Sequence, residues 1–171
     1  MMKKTNLWVP VIIATILVFM SGCGKIQDKV NEKVSEGIVG KAVGANVDIT
    51  KDGLTVQKDG ATFQSGNGLK WPKSSMGDLP EPKAKITGLV VNEKNNGGGT
   101  VIFSEMSLDD AKAYVEKLKG LGYKDGMSFS DANGLSYGGT NSGGASAVIT
   151  YNASLKEGSI EYVTAEANKS N

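Results

Sequence analysis

The chain of 171 residues has no histidine, a single cysteine and, since all 19 of its basic residues are lysines, no arginine. Each absence excludes something. Without histidine there is no general base with an unperturbed pKa near neutrality, and the commonest metal ligand is missing. Without arginine no planar fork can grip a phosphate or carboxylate in bidentate fashion; only lysine point charges remain. One cysteine cannot form an internal disulfide. Aromatic residues make up only 6% of the chain and prolines number four, whereas glycines number 23. This composition suits a small, turn-rich domain of modest core. No apolar run reaches the roughly 20 residues that a membrane-spanning helix needs.

The longest apolar stretch covers residues 7–20, broken only by Pro10 and Thr15, and follows Lys3 and Lys4. A short positive segment, a 14-residue apolar segment and then the small residues Ser21 and Gly22 are the pattern of a secretory signal. Cys23 stands directly after it. The run Met20-Ser21-Gly22-Cys23 resembles the bacterial lipobox, with Met20 where leucine is usual. The resemblance implies that Cys23 receives a diacylglyceryl group and becomes the mature N-terminus. A core thiol, or an incidental cysteine behind an ordinary secretory signal, is the competing reading. A lone thiol so close to an apolar leader is an odd place for a core. Burial of lipid is worth about 0.8 kcal/mol per methylene, and two chains hold a protein stably where one does not. Cleavage removes Lys3 and Lys4, leaving 17 lysines against 18 carboxylates, a net charge of −1. That balance offers no basic face for nucleic acid.

Beyond the expected signal (1–22), the segment 23–46 holds the acylated Cys23 and a linker helix. Ile26, Val30, Val34, Ile38 and Ala42 recur every fourth residue and form one apolar stripe, with Gly44 as the stop. Residues 47–67 carry alternating apolar positions around Asp52-Gly53 and Asp59-Gly60, the pattern of a small β-meander. Asp48, Asp52 and Asp59 lack the spacing of a calcium loop, so turn chemistry accounts for them. Residues 68–83 contain Pro72, Pro80 and Pro82 and predict an extended strap. Its Trp71, Met76 and Leu79 either plug the core or contact a ligand or partner.

Residues 84–167 read as two strands, one helix and four strands. Ser107 caps the helix with Asp110 three residues on, and Leu108, Ala111, Val115 and Leu118 form its buried stripe, widened by Tyr114. Gly120 and Gly122 end it. The predicted fold is α+β: an antiparallel sheet with one main helix on one face, preceded by the meander and the amphipathic helix. Residues 168–171 are expected to be a disordered tail.

No nucleophile–base pair stands out. Ser154-Leu155-Lys156 falls in a turn, and the Gly-rich runs at 95–100 and 138–144 do not open a helix as a phosphate loop does. Glu93, Glu105, Glu157 and Glu161 are the acidic candidates for glycan chemistry. The runs VGKAVGANVDITKDGLTVQKDG, LKWPKSSMGDLPEPKAKITG and SLDDAKAYVEKLKGLGY resemble a family of small bacterial lipoproteins carrying a domain of unknown function. That resemblance brings no catalytic residues and implies placement outside the cytoplasm. The expectation is therefore a non-enzymatic, lipid-anchored binding or structural module of the cell envelope. Its attachment is to the cell membrane, or to an outer membrane where one exists, and its partners are the membrane and an envelope protein or polymer. It has no cofactor beyond the acyl chains and no metal. The alternative is a carboxylate-based hydrolase or lyase of cell-wall glycan.

Overall fold

Asp-Gly and Gly-rich turns separate short alternating strands along most of the chain, and in the computed structural model they assemble into one sheet. The structure describes residues 44–92 and 97–169; the expected signal, Cys23 and the linker helix expected over residues 25–43 lie outside them. The strands are β1 (Asn46–Thr50), β2 (Gly53–Lys58), β3 (Ala61–Gly66), β4 (Lys85–Asn92), β5 (Gly99–Ser104), β6 (Lys124–Ser130), β7 (Gly134–Thr140), β8 (Ser146–Asn152) and β9 (Glu157–Val163). Helix α1 (Leu108–Gly120) lies between β5 and β6 in sequence, and a short α2 (Ala165–Lys169) follows β9. The sheet runs β1-β2-β3-β4-β5-β9-β8-β7-β6, every neighbouring pair antiparallel. This is an α+β architecture with one main helix packed on an antiparallel sheet.

Local chemistry explains the connections. Asp59 and Gly60 both take positive φ, 53° and 87°, the conformation of the type I′ turn whose twist matches the strands it joins. The β6–β7 connection is held by Asp131, whose Oδ1 accepts from the amides of Asn133 (2.7 Å) and Gly134 (3.0 Å). In α1 the Ser107 hydroxyl accepts from the Asp110 amide at 3.0 Å and donates to Asp110 Oδ2 at 2.5 Å. Asp109 and Asp110 sit in the positive first turn and Lys117 and Lys119 in the last. The helix closes with the amides of Leu121, Gly122 and Tyr123 bonded back to Lys117, Lys119 and Leu118.

Strand register decides where the core lies. Leu89, Val101, Ile160, Ile149 and Tyr137 are cross-strand partners in one row, and Ala111, Tyr114 and Leu118 of α1 join the same buried cluster. Followed outward, that row becomes Gln64, Thr55 and Asp48 on β3, β2 and β1, so on the α1 side the meander is polar. The adjacent row, on the opposite face, is Val47, Val56, Phe63 and Val90, followed by Thr100, Glu161 and Val148. The apolar side of the sheet thus changes face between β3 and β5.

Two features differ from the sequence reading. The meander is not a separate piece: β3 pairs with β4 from Ala61↔Asn92 to Ser65↔Gly88, because β3 offers a full strand edge to the first strand of the domain. Helix α2 also extends to Lys169, into the segment expected as a tail, while residues 170–171 lie outside the described residues. Asn168 donates to the Gly144 carbonyl at 2.7 Å and to Ser146 Oγ at 2.9 Å, which ties α2 to the β7–β8 loop.

Candidate functional site

The strap at residues 68–83 lies in the connection between β3 and β4, which contains no strand or α-helix. Its prolines remove backbone donors and fix φ, so its conformation must be set by contacts. A 3₁₀ turn at Lys73–Ser75 starts it, with the Ser75 amide bonded to Pro72 O at 2.8 Å, and the Leu79 amide bonds Met76 O at 3.0 Å. Between these turns Met76 and Leu79 point into the core, 0% and 4% exposed. Trp71 is half-buried and packs against the same cluster. Of the three strap residues singled out by sequence, Met76 and Leu79 thus present almost no surface to a partner. Trp71 stays partly exposed.

Tyrosines hold the strap in place. Tyr114 of α1 donates its phenol proton to Pro80 O at 2.8 Å, and Tyr123, just beyond α1, donates to Asp78 Oδ1 at 2.5 Å. Gly77 sits between them with φ +55°, and a Cβ there would lie 2.4 Å from Tyr162 Cζ. Both backbone and space therefore favour glycine at residue 77. Two more phenols bond backbone carbonyls: Tyr137 to Tyr123 O at 2.7 Å and Tyr151 to Met106 O at 2.9 Å. Burial raises the Tyr114, Tyr123, Tyr151 and Tyr162 phenols above their ordinary range, and for Tyr123 the hydrogen bond to Asp78 adds to the shift. All four keep their protons at neutral pH, and Tyr114, Tyr123 and Tyr151 act as fixed donors.

Charges are peripheral. Lys83–Asp110 at 3.7 Å joins the strap's end to the start of α1, and Lys85–Glu105 at 3.5 Å joins β4 to the end of β5. Both pairs are largely solvated and contribute little. Lys119 donates to Glu116 at 2.7 Å, a bond that raises its ammonium pKa, and lies 5.5 Å from the Tyr137 ring centroid.

The acidic candidates do not gather. Glu105 is exposed and paired with Lys85. Glu157 and Glu161 are four residues apart on one strand, which sets their Cα atoms about 13 Å apart, a poor starting point for a glycosidase pair whose carboxyls sit roughly 5–9.5 Å apart. Glu93 lies outside the described residues. Ser154 is engaged in a turn with Asn152 Oδ1 as acceptor. Among the described residues no group of three or more His, Cys, Asp or Glu side chains is placed to hold a metal. None of the described helices is long and apolar enough to cross a membrane.

Sequence reading placed Tyr114 on the buried side of the helix but passed over Asp78, Gly77 and the bonds by which Tyr114 and Tyr123 clamp the strap. A glycine inside a proline-bordered segment was the available signal; the tyrosine partners, up to 45 residues distant, had none. Comparison with protein-family models finds no match, and no curated protein or solved structure matches the chain.

Proposed function

We propose that this chain is a lipid-anchored extracytoplasmic protein whose domain binds or supports other components of the cell envelope and catalyses no reaction. The observation that carries the reading is the run Met20-Ser21-Gly22-Cys23 directly after a 14-residue apolar segment and two lysines. Acyl chains on Cys23 give the membrane affinity that no described helix supplies. An amphipathic helix over residues 25–43 connects the anchor to the domain. On the domain, Trp71 is the contact residue we assign, because it is held on a strap clamped by Tyr114 and Tyr123 and is not fully enclosed. Aromatic anchors on rigid supports lose little conformational entropy when they bind.

Two experiments test the two halves. Cells expressing the full chain are fed an alkyne-tagged fatty acid; the wild-type protein takes up the label and Cys23→Ala does not. An unlabelled wild-type protein sinks the anchor. For the domain, recovery of envelope components with wild type and Trp71→Ala is compared, and equal recovery removes Trp71 from the proposal.

A further inference from the structure

The sheet has two edges, β1 and β6. Every residue of β6 is exposed, and the strand carries Met127 and Phe129 at 69% and 58% exposure. Strand β1 has no exposed large apolar residue; its exposed positions are Asn46, Asp48 and Thr50. Natural proteins blunt their edge strands with lysine, proline or a bulge. On β6 that protection is confined to the start: Lys124, the positive φ of 62° at Asp125, and the register shift between Asp125 and Ser128. The run Met127-Ser128-Phe129-Ser130 contains no charge and no proline.

Register shows which peptide groups of this run face outward. The Asp131 amide donates to Gly134 O at 2.9 Å, so residue 131 turns its backbone groups toward β7. The same register continues unbroken through Ser130↔Leu135 and Phe129↔Ser136 to Ser128↔Tyr137. Backbone groups alternate in direction along an antiparallel strand. Phe129 therefore bonds toward β7, while Ser128 and Ser130 turn their N–H and C=O groups to the open edge. Side chains alternate too. Ser128 shares the α1 side with its partner Tyr137, which belongs to the core, and Phe129 lies on the opposite face.

That pattern is its own complement. Lay two copies of β6 antiparallel about a twofold axis at Phe129. Ser128 of each copy then faces Ser130 of the other, with the outward peptide groups of both paired across the axis. Phe129 meets its own counterpart at a closely spaced, non-bonded position, and Met127 reaches that ring diagonally. We propose that this chain forms a twofold dimer through residues 127–131 of β6, joining the sheets of two copies into one. The ladder ends at the bulge on one side and at the β6–β7 turn on the other. So short a contact is far below the roughly 20–30 residues a side of a stable interface, and the dimer is weak and reversible. It does not depend on acylation of Cys23.

Sedimentation velocity on the full-length protein in a mild detergent, from about 1 µM to about 1 mM, is the first test. A reversible monomer–dimer equilibrium is expected within that span. Ser130→Pro deletes an outward N–H at the kind of edge position where proline is tolerated, and Phe129→Ser deletes the ring at the axis. Each change acts twice in a twofold dimer and should raise the dissociation constant about tenfold or more. The second test is oxidation in native membranes. Phe129→Cys should give disulfide-linked dimers well above wild type, whose one thiol is Cys23. Met127→Cys should not, because its counterpart is displaced by about 13 Å along the strands. A wild-type monomer throughout the range overturns the proposal. So does a dimer that both variants leave unchanged, or growth past the dimer, which marks β6 pairing with β1 of another copy. Linkage through Met127→Cys as efficient as through Phe129→Cys also overturns it.

Discussion

The phenol of Tyr123 donates a 2.5 Å hydrogen bond to Oδ1 of Asp78, joining the residue that follows α1 to the middle of a proline-bordered strap 45 positions earlier. The ring of Tyr123 is fully buried, while Asp78 is exposed. Tyr123→Phe keeps the ring and deletes the bond. Since the freed carboxylate can turn to water, the loss should fall at about 1.5 kcal/mol, the low end for bonds to charged groups. The urea midpoint should drop accordingly, and the Leu79 amide, bonded to Met76 O, should exchange faster. An unchanged midpoint and unchanged exchange would mean that the bond does not hold the strap.

High pH should unfold the domain through its phenols. Tyr114, Tyr123, Tyr151 and Tyr162 all bind their protons more tightly in the fold than in an unfolded chain, chiefly because burial disfavours phenolate. A raised folded pKa means that the contribution is complete below the ordinary value of about 10 and is lost as pH climbs past it. Urea titrations across a pH series bracketing that value should show falling stability on the alkaline side, in step with phenolate absorbance. Tyr114→Phe should make the fall shallower. A fall as steep in the variant as in wild type contradicts the assignment for Tyr114.

Gly77→Ala should cost more than either of its two causes alone. Left-handed backbone at a non-glycine residue costs about 1 kcal/mol, and the new Cβ would meet Tyr162 Cζ at 2.4 Å. Adding Tyr162→Ala removes the collision and leaves the backbone cost. The check is a double-mutant cycle in urea: the two substitutions together should cost less than the sum of the singles. Simple additivity would mean that the ring moves aside freely.

Two phenylalanines separate the core from the surface. Phe103 is 0% exposed and faces Gly158 across β9, whereas Phe129 is 58% exposed on the edge strand β6. Phe103→Ala should destabilise by about 3–5 kcal/mol, and Phe129→Ala by no more than about 0.5 kcal/mol. Thermal and urea melts of both variants measure the contrast.

The helix and its cap were legible because their signals are local: Ser107 precedes Asp109 and Asp110, and the stripe Leu108, Ala111, Val115 and Leu118 needs only helical spacing. The order of strands after Ala84 was legible for the same reason. What could not be read was closure. Strand β9 inserts between β5 and β8, pairing Phe103 with Gly158 across 55 positions, and no local pattern announces that partner. The alternation of apolar positions over residues 47–67 was visible, but the face it takes was not, because the face depends on the β3–β4 register. At the strap, composition pointed to an extended segment, whereas a 3₁₀ turn forms at Lys73–Ser75 and a second turn closes at Leu79. Composition left open whether Trp71, Met76 and Leu79 point in or out, and tertiary contacts divide them: Met76 and Leu79 inward, Trp71 between.

The measurement that bears most directly on the account is the intact mass of the protein extracted from its native membrane, with fragmentation of the N-terminus. The account predicts a chain that begins at Cys23 and carries the added mass of a diacylglyceryl group on its sulfur. A chain that retains residues 1–22, or one cut near residue 22 with Cys23 as a free thiol, would contradict it.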